Sequence, residues 1–567
     1  MTQSAQASIQ DTQKAPFWRS TTVLLIFILM LAGFLRLYNL GKSPPGLNQD
    51  EATNAWNAYC LLKTGTDQTG VSWPVFYMRC LGGNSSTLFI YFMIPFQAIG
   101  GLNIFTTRLP GAAAGIFTVF VIYLAGKRLF DRQVGLMAAF LLALNPWQIQ
   151  QGRWGHEATL CALLGITPLA MLLWARMPIY NDKNNSSRPF LAVFAGIAAG
   201  ICCYGYQAVR IFIPVFLSLM VLLTLPGWWR FIKTRKGIVS IAAFVFGFLI
   251  TFGPLAWQHI FHPEGISQRS MALEKVGFSL SDESIWITIK NVLNRYIHHF
   301  GPDFLFIHGD HYIIQSPPGF GQFHGYMLPL MILGLVYILR YFKSSPSVRT
   351  LLAFIIAYPV GDIIYSTAGI HSLRSAPGMC SLILLGAVGA VFSGRWLWKQ
   401  NRQSAVTTVS IFAVAAVILN AVFFNNFYVK YNRDPDIYHA YHTDLVEACQ
   451  WLKPRLKDYD GVFFTTSSLN MPYAISLVTL GYDPKQWFED KRDFYSDGEW
   501  EHYTHYGKMY FMYNDSFMPA LMSLRQRTPP GRALFIVRPG EFNLANPIHR
   551  IVGPYGLDVL WICEPAN

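Results

Sequence analysis

Residues 108–132 read RLPGAAAGIFTVFVIYLAGKRLFDR, an apolar run over 108–126 that stops at Lys127, Arg128 and Arg132. Such a run is close to the roughly 17–25 residues that cross a bilayer as a helix, and Lys and Arg gather on the cytoplasmic side of such helices. Comparable runs lie at 21–40, 133–150, 158–176, 190–206, 209–228, 237–257, 325–341, 349–366, 375–394 and 404–424. Further basic clusters separate them: Arg176/Lys183/Arg188, Arg230/Lys233/Arg235/Lys236, Arg340/Lys343/Arg349 and Arg395/Lys399/Arg402. They fall in every second loop, so all share one compartment if the chain crosses about eleven times. Residues 86–99 are apolar too, but a crossing there would invert every later loop. About 14 residues suit an interfacial or re-entrant helix, so this segment is expected to stay outside.

Composition agrees. Of 567 residues, 52% are hydrophobic and 13% charged, and the mean hydropathy is +0.30; soluble domains carry roughly 25% charged residues. The net charge of +13 arises from the short inter-span clusters. With no basic stripe or stacking platform it excludes nucleic acid as a partner. The first run lacks a cleavage site and is too long for a signal peptide, which predicts a retained helix with its N-terminus in the cytoplasm. The expected division is a cytoplasmic tail (1–20), a membrane region (21–424) and an external α/β domain (425–567). In the last, GVFFTTS, KMYFMYN, RALFIVR and LDVLWIC read as strands and IYHAYHTDLVEACQWLK as an amphipathic helix. Eight Cys show no zinc spacing. Cys60 and Cys80 would both lie outside, as would Cys449 and Cys563, and the sequence leaves a disulfide open for either pair.

On that external face the loop over 41–107 places Asp50 and Glu51 side by side, and the turn QQGRWGHEA adds Arg153, His156 and Glu157. Acidic residues favour a helix's first turn, but ionisable residues recurring at a membrane surface are more often functional. Arg79, Arg210, Arg269, Arg295 and Arg374 face the same compartment, with His308, His311 and His371. Several Arg opposite a carboxylate pair suit a phosphate clamp beside a general base.

The motifs QDEATNAWNA (49–58), GTD (65–67), the stretch from RLPG to GHEA (108–158), YGYQAVRIFIP (204–214), PDFLFIHGDH (302–311), SPPGFGQFHGYMLPL (316–330) and HSLRSAPG (371–378) carry a resemblance. In order and spacing the chain resembles, over about 20–395, the bacterial branch of the GT-C glycosyltransferases. That family includes protein O-mannosyltransferases and lipid A aminoarabinose transferases. The resemblance implies a GT-C fold in the inner (plasma) membrane. It also implies a polyprenyl (undecaprenyl) phosphate sugar donor and a protein, lipid or glycan acceptor.

Carried over residue by residue, Asp50 becomes the base, Glu51 its neighbour and Glu157 a second or metal-linked carboxylate. Arg210 and Arg374 become phosphate contacts, with His371 close by; Arg79, Arg153, His156, Tyr206 and Arg269 join them as candidate substrate contacts by their place on the same face. Where an Arg-x-x-Asp-like turn is common in the family, this chain has Arg-Trp-Gly-His-Glu, so no catalytic role passes to His156. No cofactor follows, and a divalent metal stays open. A lipid-linked-sugar flippase would want charged span interiors and repeated broken helices; Asp362 is the main charge inside a span, and no repeat is visible. A GT-C-type ligase or oligosaccharide transferase is the nearer alternative.

Overall fold

The structure, a computed structural model, describes residues 20–80, 83–180, 187–262, 285–363, 369–496, 501–512, 522–523, 526, 531–541 and 547–565. Helix α1 (Thr21–Leu37) is followed by α2 (Gln49–Thr64), a hairpin of β1 (Met78–Cys80) and β2 (Gly83–Ser85), α3 (Thr87–Gly100) and the long α4 (Ile104–Leu129). Each predicted apolar span coincides with a helix or a broken pair of helices. Five are long and apolar enough to cross a membrane by length and composition: Ile104–Leu129, Glu157–Trp174, Arg235–Phe261, Ser372–Gln400 and Arg402–Arg433. The bent pair Gln207–Leu223 and Leu225–Phe231 makes a sixth if it is one span. Outward faces are themselves apolar, as at Phe27, Met30 and Phe34 on the first helix and Phe246, Leu249 and Ile250 on Arg235–Phe261. Such surfaces are stable against lipid, not water. The chain is a polytopic helical membrane protein with a C-terminal sheet domain.

The breaks have local causes. The span predicted at 349–366 divides into Pro346–Ala357 and Val360–Ile363 because Pro359 supplies no N–H and crowds the preceding turn. The 209–228 span bends by 81° at Thr224, where Pro226 opens the next helix. The segment at 133–150 stops at Ala143 and restarts at Pro146, with the Asn145 side chain capping the new start by accepting the Gln148 N–H at 3.0 Å. The stretch 258–324, read as a loop, contains the helix Ile285–His298.

After Arg402–Asn425 the chain continues through short turns to Arg433 and enters the C-terminal domain. Its seven-stranded sheet has the order β4-β5-β6-β3-β7-β9-β8. At its centre β3 (Gly461–Thr465) pairs in parallel with β6 (Met509–Met512) and β7 (Ala533–Val537). Outside these lie β4 (Arg492–Ser496), β5 (Glu501–Tyr506), β8 (His549–Val552) and β9 (Asp558–Cys563), all antiparallel to their neighbours. The single helix expected around 437–453 is two, Pro435–Ala440 and Thr443–Leu452, broken at His442, whose φ is +44°.

The tail is fastened to the membrane half. Trp487 packs edge-on against Trp56 of α2, with ring centroids 5.8 Å apart, and donates its indole N–H to the Gln68 carbonyl at 3.0 Å. The Leu47 N–H donates to the Tyr441 carbonyl at 2.6 Å and Asn48 Nδ2 to the Ala440 carbonyl at 3.0 Å. Gly46 has φ +66°, and a Cβ there would fall 2.2 Å from the Tyr441 oxygen, so only glycine fits. All eight cysteines are free thiols, so neither Cys60–Cys80 nor Cys449–Cys563 is joined.

Candidate active site

Asp50 stands in the first turn of α2, and the sequence builds that start. Asn48 Oδ1 accepts the Asp50 N–H at 3.0 Å while Glu51 Oε2 accepts the Asn48 N–H at 3.1 Å, a reciprocal cap. Successive helical side chains point about 100° apart, so the two acids part company. The Asp50 carboxylate turns into a cavity of about 150 Å³, and no protein donor to it is found among the described residues. Glu51 turns inward and is fully buried. It takes Arg108 Nε at 2.8 Å and Nη2 at 3.0 Å, and the Gly155 N–H at 2.8 Å. It does not line the cavity, contrary to the expectation of a second acid beside the chemistry.

The cavity is walled by several elements: Asp50; Tyr77, Asn84, Ser85 and Ser86 around the hairpin; Trp154, His156 and Glu157; Tyr206, Gln207, Ala208 and Arg210; Gln315; and His371, Leu373 and Arg374. The carboxylates of Asp50 and Glu157 thus share one chamber with the guanidinium groups of Arg210 and Arg374. Glu157 is almost buried and accepts Asn54 Nδ2 at 3.4 Å, with His156 Nε2 at 3.6 Å. His156 Nδ1 accepts the Ala158 N–H at 3.0 Å, which leaves its proton on Nε2, facing Glu157. A ring fixed in that way donates and is not a free base. It stacks on Trp154 with centroids 4.3 Å apart.

Arg210 is held by its Nε on the Cys203 carbonyl at 2.9 Å and by His259 at 3.1 Å from Nη1. Arg374 is held through Asp362. That carboxylate is fully buried; Arg295 Nη2 and His299 Nε2 each lie 3.2 Å from it, Arg374 Nη1 lies at 3.7 Å, and the His371 N–H donates to it at 3.1 Å. The main charge inside a predicted span is therefore the anchor of two cavity residues. His371 itself is held neutral, its pKa pushed down to about 3 by burial and by the Arg374 cation. Gln315 Nε2 meets its Nε2 at 3.2 Å. Asp310 secures the same corner by accepting the Ser372 N–H at 2.6 Å.

Two further predicted contacts, Arg153 and Arg79, do not line the cavity. Arg153 is buried and spends its donors on the carbonyls of Ser43, Leu35 and Arg36 at 2.8–3.4 Å, with its guanidinium over Phe427 and Tyr428. It ties the end of α1 to the tail. Arg79 is exposed on β1, and its carbonyl accepts from Asn57 Nδ2 at 3.1 Å. Arg269 lies outside the described residues. Tyr77, Asn84, Ser85, Ser86, Trp154, Gln207 and Gln315 escaped the sequence reading; the Gly82–Gly83 pair, a hairpin signal, is the mark that pointed to the hairpin. Among the described residues no group of three His, Cys, Asp or Glu converges to hold a metal.

Residues 84–257 match the family pattern of the dolichyl-phosphate-mannose-protein mannosyltransferases. ArnT from Cupriavidus metallidurans bound to undecaprenyl phosphate is similar in structure at 13% identity with a TM-score of 0.51, covering 96% of this chain and 97% of that one. Its apo state gives 12% identity and a TM-score of 0.52 over the same shares. The Archaeoglobus fulgidus oligosaccharyltransferase tethered to an acceptor peptide has 13% identity and a TM-score of 0.48, with 82% of this chain covered. This chain spans 63% of that protein's length. No curated protein matches by sequence. Over most of its length the chain has the fold of ArnT, and residues 84–257 within that fold carry the mannosyltransferase family pattern.

Proposed function

We propose that the protein moves one sugar, a hexose or pentose, from a polyprenyl-phosphate carrier to an acceptor on the extracytoplasmic side of the inner membrane. One observation carries this reading: Asp50 and Glu157 share a single cavity with Arg210 and Arg374. Anionic and cationic walls around one small chamber are what a transfer from a sugar phosphate needs. The cations bind the phosphate and offset the charge that builds on it as it leaves. The uncommitted Asp50 carboxylate removes the proton of an acceptor hydroxyl or amine as that atom attacks the anomeric carbon. The new bond forms at the anomeric carbon while its bond to the phosphate oxygen breaks. The electron pair departs with polyprenyl phosphate, and attack from the opposite face inverts the carbon. Glu157, steadied by Asn54 and the His156 Nε2–H, orients the acceptor. In this reading the basic clusters are cytoplasmic and the tail domain external.

The test is release of radiolabel from a polyprenyl-phosphate sugar by purified protein. Asp50→Asn keeps the shape and lowers turnover by roughly 10²–10⁴, the contribution of general-base catalysis, with binding of polyprenyl phosphate retained. Near-normal turnover of Asp50→Asn at saturating donor and acceptor would remove Asp50 as the base.

A further inference from the structure

The far side of the membrane region carries a second cavity. Arg374 and Lys399 bound the apolar helix Ser372–Gln400, and twenty-five residues at about 1.5 Å each separate them by about 37 Å, more than the roughly 30 Å of hydrocarbon. The cavity at Lys399 therefore opens in the leaflet opposite the candidate active site. Its volume is about 830 Å³, and its apolar wall comes from four helices. Among these residues are Ile28 of α1, Phe140 of Arg132–Ala143, Val391 of Met379–Gln400 and Val409 of Arg402–Asn425. It exists because Arg402–Asn425 stands away from the bundle: only 11% of its most apolar stretch is buried, and its buried residues, Ala405, Asn420 and Phe423, lie towards its ends. A gap of this size within the bilayer takes up hydrocarbon chains.

The mouth says which lipid. Arg395, Trp398 and Lys399 line it, and the Arg402 guanidinium lies over the Trp398 ring at 4.9 Å. Arg395 is already committed to Asp131 at 2.7 Å and to Gln133. That ion pair leaves the charge of Lys399 at the rim of an apolar groove, beside a Trp398 indole that the Arg402 guanidinium covers. Basic rims between membrane helices select anionic headgroups, and indole rings settle at headgroup level. We propose that this groove is a binding site for an anionic phospholipid, its acyl chain between α1 and Arg402–Asn425 and its phosphate at Lys399.

The protein is reconstituted in vesicles of equal parts phosphatidylglycerol and phosphatidylcholine, and the lipids it retains on extraction are counted by native mass spectrometry. Wild type should retain phosphatidylglycerol in preference to phosphatidylcholine. Lys399→Glu should lower phosphatidylglycerol retention about fivefold or more, in line with the contribution of one Lys at an anionic surface. Gly394→Leu supplies an independent arm. A Cβ at Gly394 meets nothing within 4 Å, and Gly394 lines the groove, so a leucine there takes up groove volume and should reduce retention of both lipids. An unchanged elution volume on size exclusion shows that each variant is folded. Equal retention of the two lipids by wild type, or wild-type retention by both variants, would overturn the site and leave only bulk lipid at this face.

Discussion

Glu51 and Arg108 form a closed pair, 2.8 Å apart, with neither side chain exposed to solvent. Through it α2, α4 and the Gly152–Glu157 turn meet, because Glu51 also holds the Gly155 N–H. The pair thus fixes the separation of the elements that carry Asp50 and Glu157. Removing one partner strands a buried charge, which costs about 3–5 kcal/mol. Glu51→Gln should lower the thermal unfolding midpoint well below those of wild type and Asp50→Asn. Equal midpoints for the two variants would show that the pair does not hold the fold.

Arg374 is expected to carry donor affinity. Hydrogen bonds to a charged group contribute about 1.5–3 kcal/mol, or roughly 10–100-fold in affinity. Arg374→Ala should weaken binding of polyprenyl phosphate by that factor. Arg374→Lys, which keeps the charge and loses the planar fork, should fall between the two. Wild-type affinity in Arg374→Ala, measured by isothermal titration, would exclude it from the donor site.

The His371 imidazole gives a pH signature. Unfolded, it takes up a proton near 6.5, whereas in the fold it stays neutral down to about 3. Between those values the unfolded chain binds more protons, so this residue makes stability fall as pH drops from 6.5 towards 3 and adds no slope above that window. His371→Gln should flatten the acid limb of a stability-against-pH curve and leave its neutral region unchanged. An acid limb of unaltered slope would show that the buried ring is not its source.

Eight thiols should be titratable after denaturation without reductant. Dithiothreitol should change neither the unfolding midpoint nor mobility on a non-reducing gel. Fewer thiols would restore one of the pairings that the sequence left open.

The non-crossing reading of α3 is checked by labelling. Val75 is 57% exposed and Ile99 90%, so Val75→Cys and Ile99→Cys should both react with an impermeant maleimide added outside whole cells. Reaction from opposite sides would add a crossing at 87–100 and undo the eleven-span count.

Much of this was legible because charge is costly in lipid. The apolar runs located the segments that became helices, and the carboxylates and cations recurring beside them predicted Asp50, Glu157, Arg210 and Arg374 in one chamber. Sequence could not assign faces within a turn. Glu51 and Arg153 carry the same charges as their functional neighbours and point inward, where carbonyls and a counter-ion satisfy them. Neutral polar residues such as Asn84, Gln207 and Gln315 send no charge signal, and they reach the cavity through the hairpin, the start of Gln207–Leu223 and the segment after Ile285–His298. Asp362 was read as an anomaly in a span because its partners, Arg295 and Arg374, come from remote segments.

The junction at Gly46 and Tyr441 joins residues made early and late in synthesis. Asn48 and Ala440 are in contact although 392 positions separate them. The ribosome delivers Asp50 long before the segment that braces its helix, and every intervening apolar helix must enter the bilayer first. The chamber is therefore finished last, once the tail has folded against the membrane half. The same dependence limits chimeras: a tail exchanged with a relative's should carry residues 426–441 with the membrane half, or the helix bearing Asp50 loses its brace.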